Sequence, residues 1–195
     1  MTTVERLLGF IASLIAIIVF AASIYQSVGP EDIAPQLPAM SFSIRLLIWL
    51  VLFVAIAAGG AFPSTSLAEM GAGIPVIAIV AIVGASAWTA AFLTMVLVSP
   101  QLPPNPTRDE ETIFFGTGFA CWVTYTLTFG YFTSTFARDK VDIVESPGWF
   151  GPRRSAVSRL KFDETAIMTL NGLICGLVTA ALYAQTWMNA TGKHL

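Results

Sequence analysis

The stretch Ala137 to Glu164, ARDKVDIVESPGWFGPRRSAVSRLKFDE, is the longest polar interval in this 195-residue chain. It contains Arg138, Lys140, Arg153, Arg154, Arg159 and Lys161, six of the ten basic residues. On both sides the sequence turns apolar for about 20 residues at a time, the length at which a helix crosses the hydrocarbon core of a bilayer. Lys and Arg close to membrane segments stay on the cytoplasmic side. This one loop therefore orients the rest of the chain.

Composition agrees. The chain is 55% hydrophobic and 11% charged, with a mean hydropathy of +0.74, whereas soluble domains carry about 25% charged residues. The reading is a single transmembrane domain covering 1–195, an all-α bundle of five transmembrane helices, with the N-terminus inside and the C-terminus outside. The formal net charge of -2 conceals a separation of acids and bases into different loops. There is no basic footprint of the kind that nucleic acid requires. Cys121 and Cys175 both lie in apolar segments and report no redox compartment.

Outward from the loop, the spans are expected at about 7–25, 42–62, 73–98, 113–136 and 165–187. The first is too long for the apolar region of a signal peptide and reads as an uncleaved span. Gln26 to Ser41 follows as a proline-rich outer loop whose only charges are Glu31 and Asp32. Arg45 stands near the outer end of the second span, within reach of headgroups. Gly59, Gly60 and Pro63 are expected to close that span. Ser99 to Glu111 is the second outer loop, and Thr107 with Glu110 forms a capping box for the next helix. Pro35-Gln36-Leu37-Pro38 and Pro100-Gln101-Leu102-Pro103 match, but the helices beside them share only their apolar character. Counted by side, Arg6 joins the six bases of the loop inside, while Arg45, Arg108 and Lys193 lie outside. In a bacterium this describes an integral, multi-pass protein of the inner membrane.

Two helix faces and one loop are the candidate functional features. In the fourth span Thr117, Cys121, Thr124, Thr128, Tyr131 and Thr135 recur at steps of four and three and form a polar stripe. Phe115, Phe119, Trp122, Phe129 and Phe136 form another face. Threonine hydroxyls turned into a bundle would line a polar path; bonded back to their own helix, they would serve packing. In the fifth span Gly172, Gly176, Ala180 and Ala184 lie four apart, a small-residue ridge that begins with GxxxG. Lipid provides no hydrophobic drive for helix association, so close backbone approach must supply the contact. Asn171, beside the ridge, calls for an interhelical hydrogen bond. In the basic loop, Trp149, Phe150, Arg153 and Arg154 suit lipid headgroups or a docked partner. Ser155 to Phe162 reads as at most an interfacial turn of helix.

Several chemistries find no residues here. His194 is the only histidine, so a haem or metal centre built on two histidines within one chain is excluded. No Asp, Glu, Lys or Arg occupies the middle of a span, where proton-coupled carriers place theirs. There is no CxxC pair and no glycine-rich phosphate loop. Asn189-Ala190-Thr191 matches a glycosylation acceptor but abuts the membrane and reads as chance. The expectation is a non-catalytic integral membrane subunit or accessory protein, without cofactor or metal, that packs against membrane lipid and other membrane chains as a homo- or hetero-oligomer. The alternative is a small oligomeric channel or carrier for a neutral or weakly polar solute.

Overall fold

The computed structural model describes residues 41–69, 74–138, 141–148, 151–158, 160 and 163–192. The expected first span at 7–25 and nearly all of the loop after it lie outside the described residues. Among the described residues there are four helices: α1 (Phe42–Ala68), α2 (Ile74–Leu97), α3 (Arg108–Arg138) and α4 (Glu164–Thr191). They run to 27, 24, 31 and 28 residues. All four are long and apolar enough to cross a membrane. The chain is thus an integral, multi-pass helical membrane protein.

The helices form a square. α1 and α4 each lie beside both α2 and α3, α2 and α3 meet across the short diagonal, and α1 and α4 stand at the far corners. Neighbours in sequence run in opposite directions. Trp49 near the start of α1 meets Thr94 near the end of α2, and Trp187 near the end of α4 meets Glu111 at the start of α3. Phe42, Leu97, Arg108 and Thr191 therefore mark one end of the bundle. Ala68, Ile74, Arg138 and Glu164 mark the other.

α1 is longer than expected. Pro63 lies inside it, and the helix continues to Ala68. A proline in mid-helix removes an N–H and pushes on a carbonyl one turn back, and in membrane helices nearby hydroxyls make good the loss. Three hydroxyls follow the proline and bond back within the same helix. Ser64 Oγ donates to Gly60 O at 2.7 Å, Thr65 Oγ1 lies 2.9 Å from Phe62 O and 3.1 Å from Ala61 O, and Ser66 Oγ donates to Phe62 O at 3.1 Å. They add bonds around the proline but do not reach the carbonyl of Gly59, the one that pairs with position 63 in a regular helix.

The ends of the other helices follow their sequence signals. Thr107 N donates to Glu110 Oε2 at 2.7 Å, and Glu110 N returns a long 3.4 Å contact to Thr107 Oγ1, the reciprocal pattern of a capping box. Asp163 caps α4 by accepting from Thr165 N at 3.2 Å. Gly192 ends α4 in the left-handed region, φ 66°, which glycine adopts without steric cost.

The basic loop is not irregular. β1 (Val141–Gly148) and β2 (Gly151–Ser158) pair antiparallel, with Pro147 opposite Pro152 and Gly148 opposite Gly151. The expected helical turn beginning at Ser155 is therefore strand. The Pro-Gly and Gly-Pro steps at 147–148 and 151–152 end the two strands opposite each other, and Val141 and Ile143 give β1 the start of a period-two pattern.

Small residues let the helices approach. Ala57, Gly60, Ala61 and Ser64 of α1 are buried, as are Ser86, Ala87, Ala90 and Ala91 of α2. A Cβ placed on Gly60 would stand 2.6 Å from Ser86 Oγ and 3.2 Å from Phe129 Cε2, so α1, α2 and α3 converge on that one missing side chain. Gly60→Ala is expected to lower stability in a detergent unfolding titration by about 1–3 kcal/mol, the range for overpacking a filled core. Ser86→Ala in the same chain removes the nearest oxygen and should recover part of the loss. Equal stability of Gly60→Ala and the parent would mean that the three helices do not converge there.

Candidate functional site

α3 decides the question of function, because each of its faces has a different neighbour. Its buried residues are Phe114, Gly118, Cys121, Tyr125, Phe129, Thr133 and Ala137. The polar stripe precedes that set by one residue at several points: Thr117 before Gly118, Thr124 before Tyr125, Thr128 before Phe129. One residue is a turn of about 100° around a helix, enough to carry the stripe off the buried face. Cys121 belongs to both sets and is buried; Thr117 and Thr128 are half-buried; Thr124, Tyr131 and Thr135 are exposed. The stripe therefore does not line the interior of this bundle.

Its hydroxyls are not idle. Thr117, Thr128 and Thr135 donate to the carbonyls of Ile113, Thr124 and Tyr131 at 2.7–2.8 Å, the backward bond that hydroxyl residues make within a helix. α3 is the least apolar of the four spans, with a mean hydropathy of 1.2 in its best window against 2.3 for α1 and α2.

The aromatic line divides similarly. Phe129 is fully buried and belongs to the core. Phe136 is half-buried and packs edge-on against Phe62 of α1, centroids 5.5 Å apart. Phe115, Phe119 and Trp122 instead border a groove of about 200 Å³ between α3 and α4, floored by Gly176, Ala180 and Tyr183. The Gly172 and Gly176 end of the ridge seats Trp122. The Trp122 indole N–H donates to Gly172 O at 2.9 Å, and a Cβ on Gly176 would come within 3.2 Å of that nitrogen. Farther along, Ala180 is exposed on the groove floor and Ala184 is half-buried.

Apart from Trp122, Gly172 and Cys121, the residues that make cross-helix hydrogen bonds are ones that the periodicities do not single out. Trp49 Nε1 donates to Thr94 Oγ1 at 2.9 Å, and that oxygen lies 3.2 Å from Cys121 Sγ, tying α1, α2 and α3. Ser99 and Tyr183 share a 2.6 Å hydroxyl contact. Trp187 Nε1 donates to Glu111 Oε1 at 2.9 Å. Part of the signal was available in the sequence, since an indole N–H inside an apolar helix usually finds an acceptor, although that of Trp88 is buried without one.

Asn171 behaves differently. It is fully buried, and neither its Oδ1 nor its Nδ2 has a hydrogen-bond partner; the hydroxyl of Thr133 is likewise buried and unpaired. The interhelical bond expected of Asn171 is not formed. Trp149 and Phe150 lie outside the described residues, while Arg153 and Arg154 fall on β2 opposite Ser146 and Glu145. Among the described residues, no three His, Cys, Asp or Glu side chains gather as metal ligands would.

Comparison with protein-family models, with curated proteins and with solved structures finds no match. The helix faces are thus the basis for any functional reading.

An unpaired buried amide costs roughly 1–3 kcal/mol. Asn171→Leu, which is close in volume and apolar, should therefore raise the detergent unfolding midpoint. A fall of similar size would show that the amide has a partner within the folded protein in the membrane.

Proposed function

We propose that the chain is a non-catalytic integral membrane subunit that packs against other membrane chains through the outward face of α3. The observation that carries this reading is the direction of the stripe. Thr124, Thr128, Tyr131 and Thr135 lie on a flank of α3 that its own bundle leaves exposed or half-covered. Small and hydroxyl-bearing residues are enriched where membrane helices meet, because they permit close approach and bridging bonds. The groove bordered by Phe115, Phe119 and Trp122 on the other flank of α3 gives a second edge for a neighbouring helix to pack on. The membrane chains so bound are copies of this protein or different subunits.

The second reading, a channel or carrier for a neutral or weakly polar solute, draws on the same observation. Because the stripe points outward, a path lined by it would run between copies rather than through one.

The same proposal takes the hairpin face as cytoplasmic, with 7–25 as a fifth span, the N-terminus inside and the C-terminus outside. Arg138 and the bases of the hairpin region stand at one end of the bundle, and Arg45 and Arg108 begin α1 and α3 at the other. That distribution follows the basic-inside bias. A cysteine introduced at Ser155 should be protected from an impermeant thiol reagent in intact cells, and one at Gln101 should react. The opposite labelling would invert the topology.

Purification in a mild detergent, followed by native mass spectrometry, tests the subunit reading. A second membrane chain or a second copy should accompany the protein. Thr124→Trp should release it without changing the melting of the chain itself. Thr124→Val with Thr128→Val keeps the shape and removes two hydroxyls, at a cost on the order of 1 kcal/mol, so the complex should persist. Loss of a solute flux in vesicles from the folded Val pair would favour the conduit instead. A parent chain that runs alone would remove the basis for the subunit.

A further inference from the structure

At the bundle end where α1 and α3 begin, a cavity of about 720 Å³ opens between α1, α2, α3 and the loop after α2, lined by Arg45, Met95, Val98, Ser99, Gln101 and Ile113 among others. Among the described residues, Arg45 is its only basic lining residue. Its Nε is buried and has no hydrogen-bond partner. The guanidinium stands 5.9 Å from the ring centroid of Phe42, which covers one side of it. The first turn of α1 carries no acidic residue, and Ser41 makes no side-chain cap, so the positive end of the helix also remains uncompensated.

Two of the described acids at this end are engaged elsewhere, and the third, Asp109, does not line the cavity. Glu110 folds back onto Thr107 and Glu111 accepts from Trp187. The polar lining is modest, since Ser99 shares its hydroxyl with Tyr183 and Thr117 donates to Ile113 O, which leaves Gln101 beside Arg45. The rest is apolar. The wall residue Ile113 is 59% exposed, and Ile44, Leu46 and Leu47 flank Arg45 on the open surface of α1. The apolar wall is therefore continuous with the surface that faces lipid.

A guanidinium that lines a cavity with no carboxylate among its described lining residues, beside an apolar wall, matches a phosphodiester attached to an acyl chain. We propose that this cavity binds the headgroup of an anionic phospholipid, with Arg45 donating to the phosphate and the acyl chain leaving along Met95 and Ile113. Such a site holds one lipid at a fixed place, unlike the diffuse annulus around any membrane protein. It stands independently of whether the chain has protein partners.

The test uses the full chain in nanodiscs of phosphatidylcholine with a minor fraction of phosphatidylglycerol, released into native mass spectrometry. Phosphatidylglycerol should be retained in preference to phosphatidylcholine. Arg45→Gln should reduce that retention about tenfold, the equivalent of one charge-assisted hydrogen bond. Arg45→Lys should keep part of it, and Arg108→Gln, at the same end of the bundle, should leave it unchanged. Thermal melting of each variant separates loss of lipid from loss of fold. Equal retention by parent and Arg45→Gln, or no preference in the parent, would overturn the proposal. Displacement by inorganic phosphate alone would assign the site to a soluble anion, and displacement by palmitate to a carboxylate amphiphile. Retention that appears only after Glu31→Gln with Asp32→Asn would assign it to the acids of the chain's own preceding loop.

Discussion

Everything in this bundle depends on helices approaching more closely than ordinary side chains allow. In water, burial of apolar surface would hold the helices together; in lipid the surroundings are as apolar as the side chains, and contact itself must supply the energy. The chain meets this with glycines placed against specific partners. Gly60 faces Ser86 and Phe129, Gly118 faces the ring of Tyr183, and Gly176 faces Trp122. In each case an absent side chain on one helix admits a present one on its neighbour. Dispersion grows with the number of atoms in contact, so a glycine opposite an aromatic ring gives a larger gain than two medium side chains meeting edge to edge.

Close approach also governs the hydrogen bonds. Trp122 can donate to the carbonyl of Gly172 because the ridge on α4 lets α3 come near enough for an indole to reach main chain. At the end of the bundle that carries Trp187, the same two helices are joined by Trp187 and Glu111. Two tryptophans on opposite helices thus fix the α3–α4 pair, each with its N–H satisfied. Threonines and serines elsewhere mostly bond within their own helix, which leaves them neutral toward whichever surface they meet.

The spans were legible because long apolar runs have few other readings, and their existence needed only hydropathy. Boundaries failed where a local rule met a compensating neighbour. Pro63 is a helix breaker by itself, yet α1 runs through it to Ala68, as membrane helices packed among neighbours allow. The hairpin was missed because its strands are polar and short, although the Pro-Gly and Gly-Pro steps marked both edges of its turn. In the stripe, spacing groups the residues along one side of the helix but does not fix the direction in which that side points. In a soluble protein polarity would decide inside from outside, whereas in a membrane both the lipid face and the core are apolar and that criterion disappears. The buried set through Gly118, Tyr125 and Phe129 has the same period and differs only by a rotation of one residue.

That rotation has a consequence for what surrounds the protein. A helix whose inward face is filled by Phe114, Tyr125 and Phe129 has no room for a polar path inside. Hydroxyls on its outer flank face away from the other described helices. Thr124 and Thr128 lie near the middle of α3, far from either headgroup layer, where lipid tails offer nothing to a hydroxyl. A threonine tolerates that position because its proton can go to its own helix, as Thr128 does; its free lone pairs then remain available to a donor from outside. Exposure without an unsatisfied donor is the arrangement that lets a membrane helix stand in lipid while it is alone and accept a neighbour when one is present.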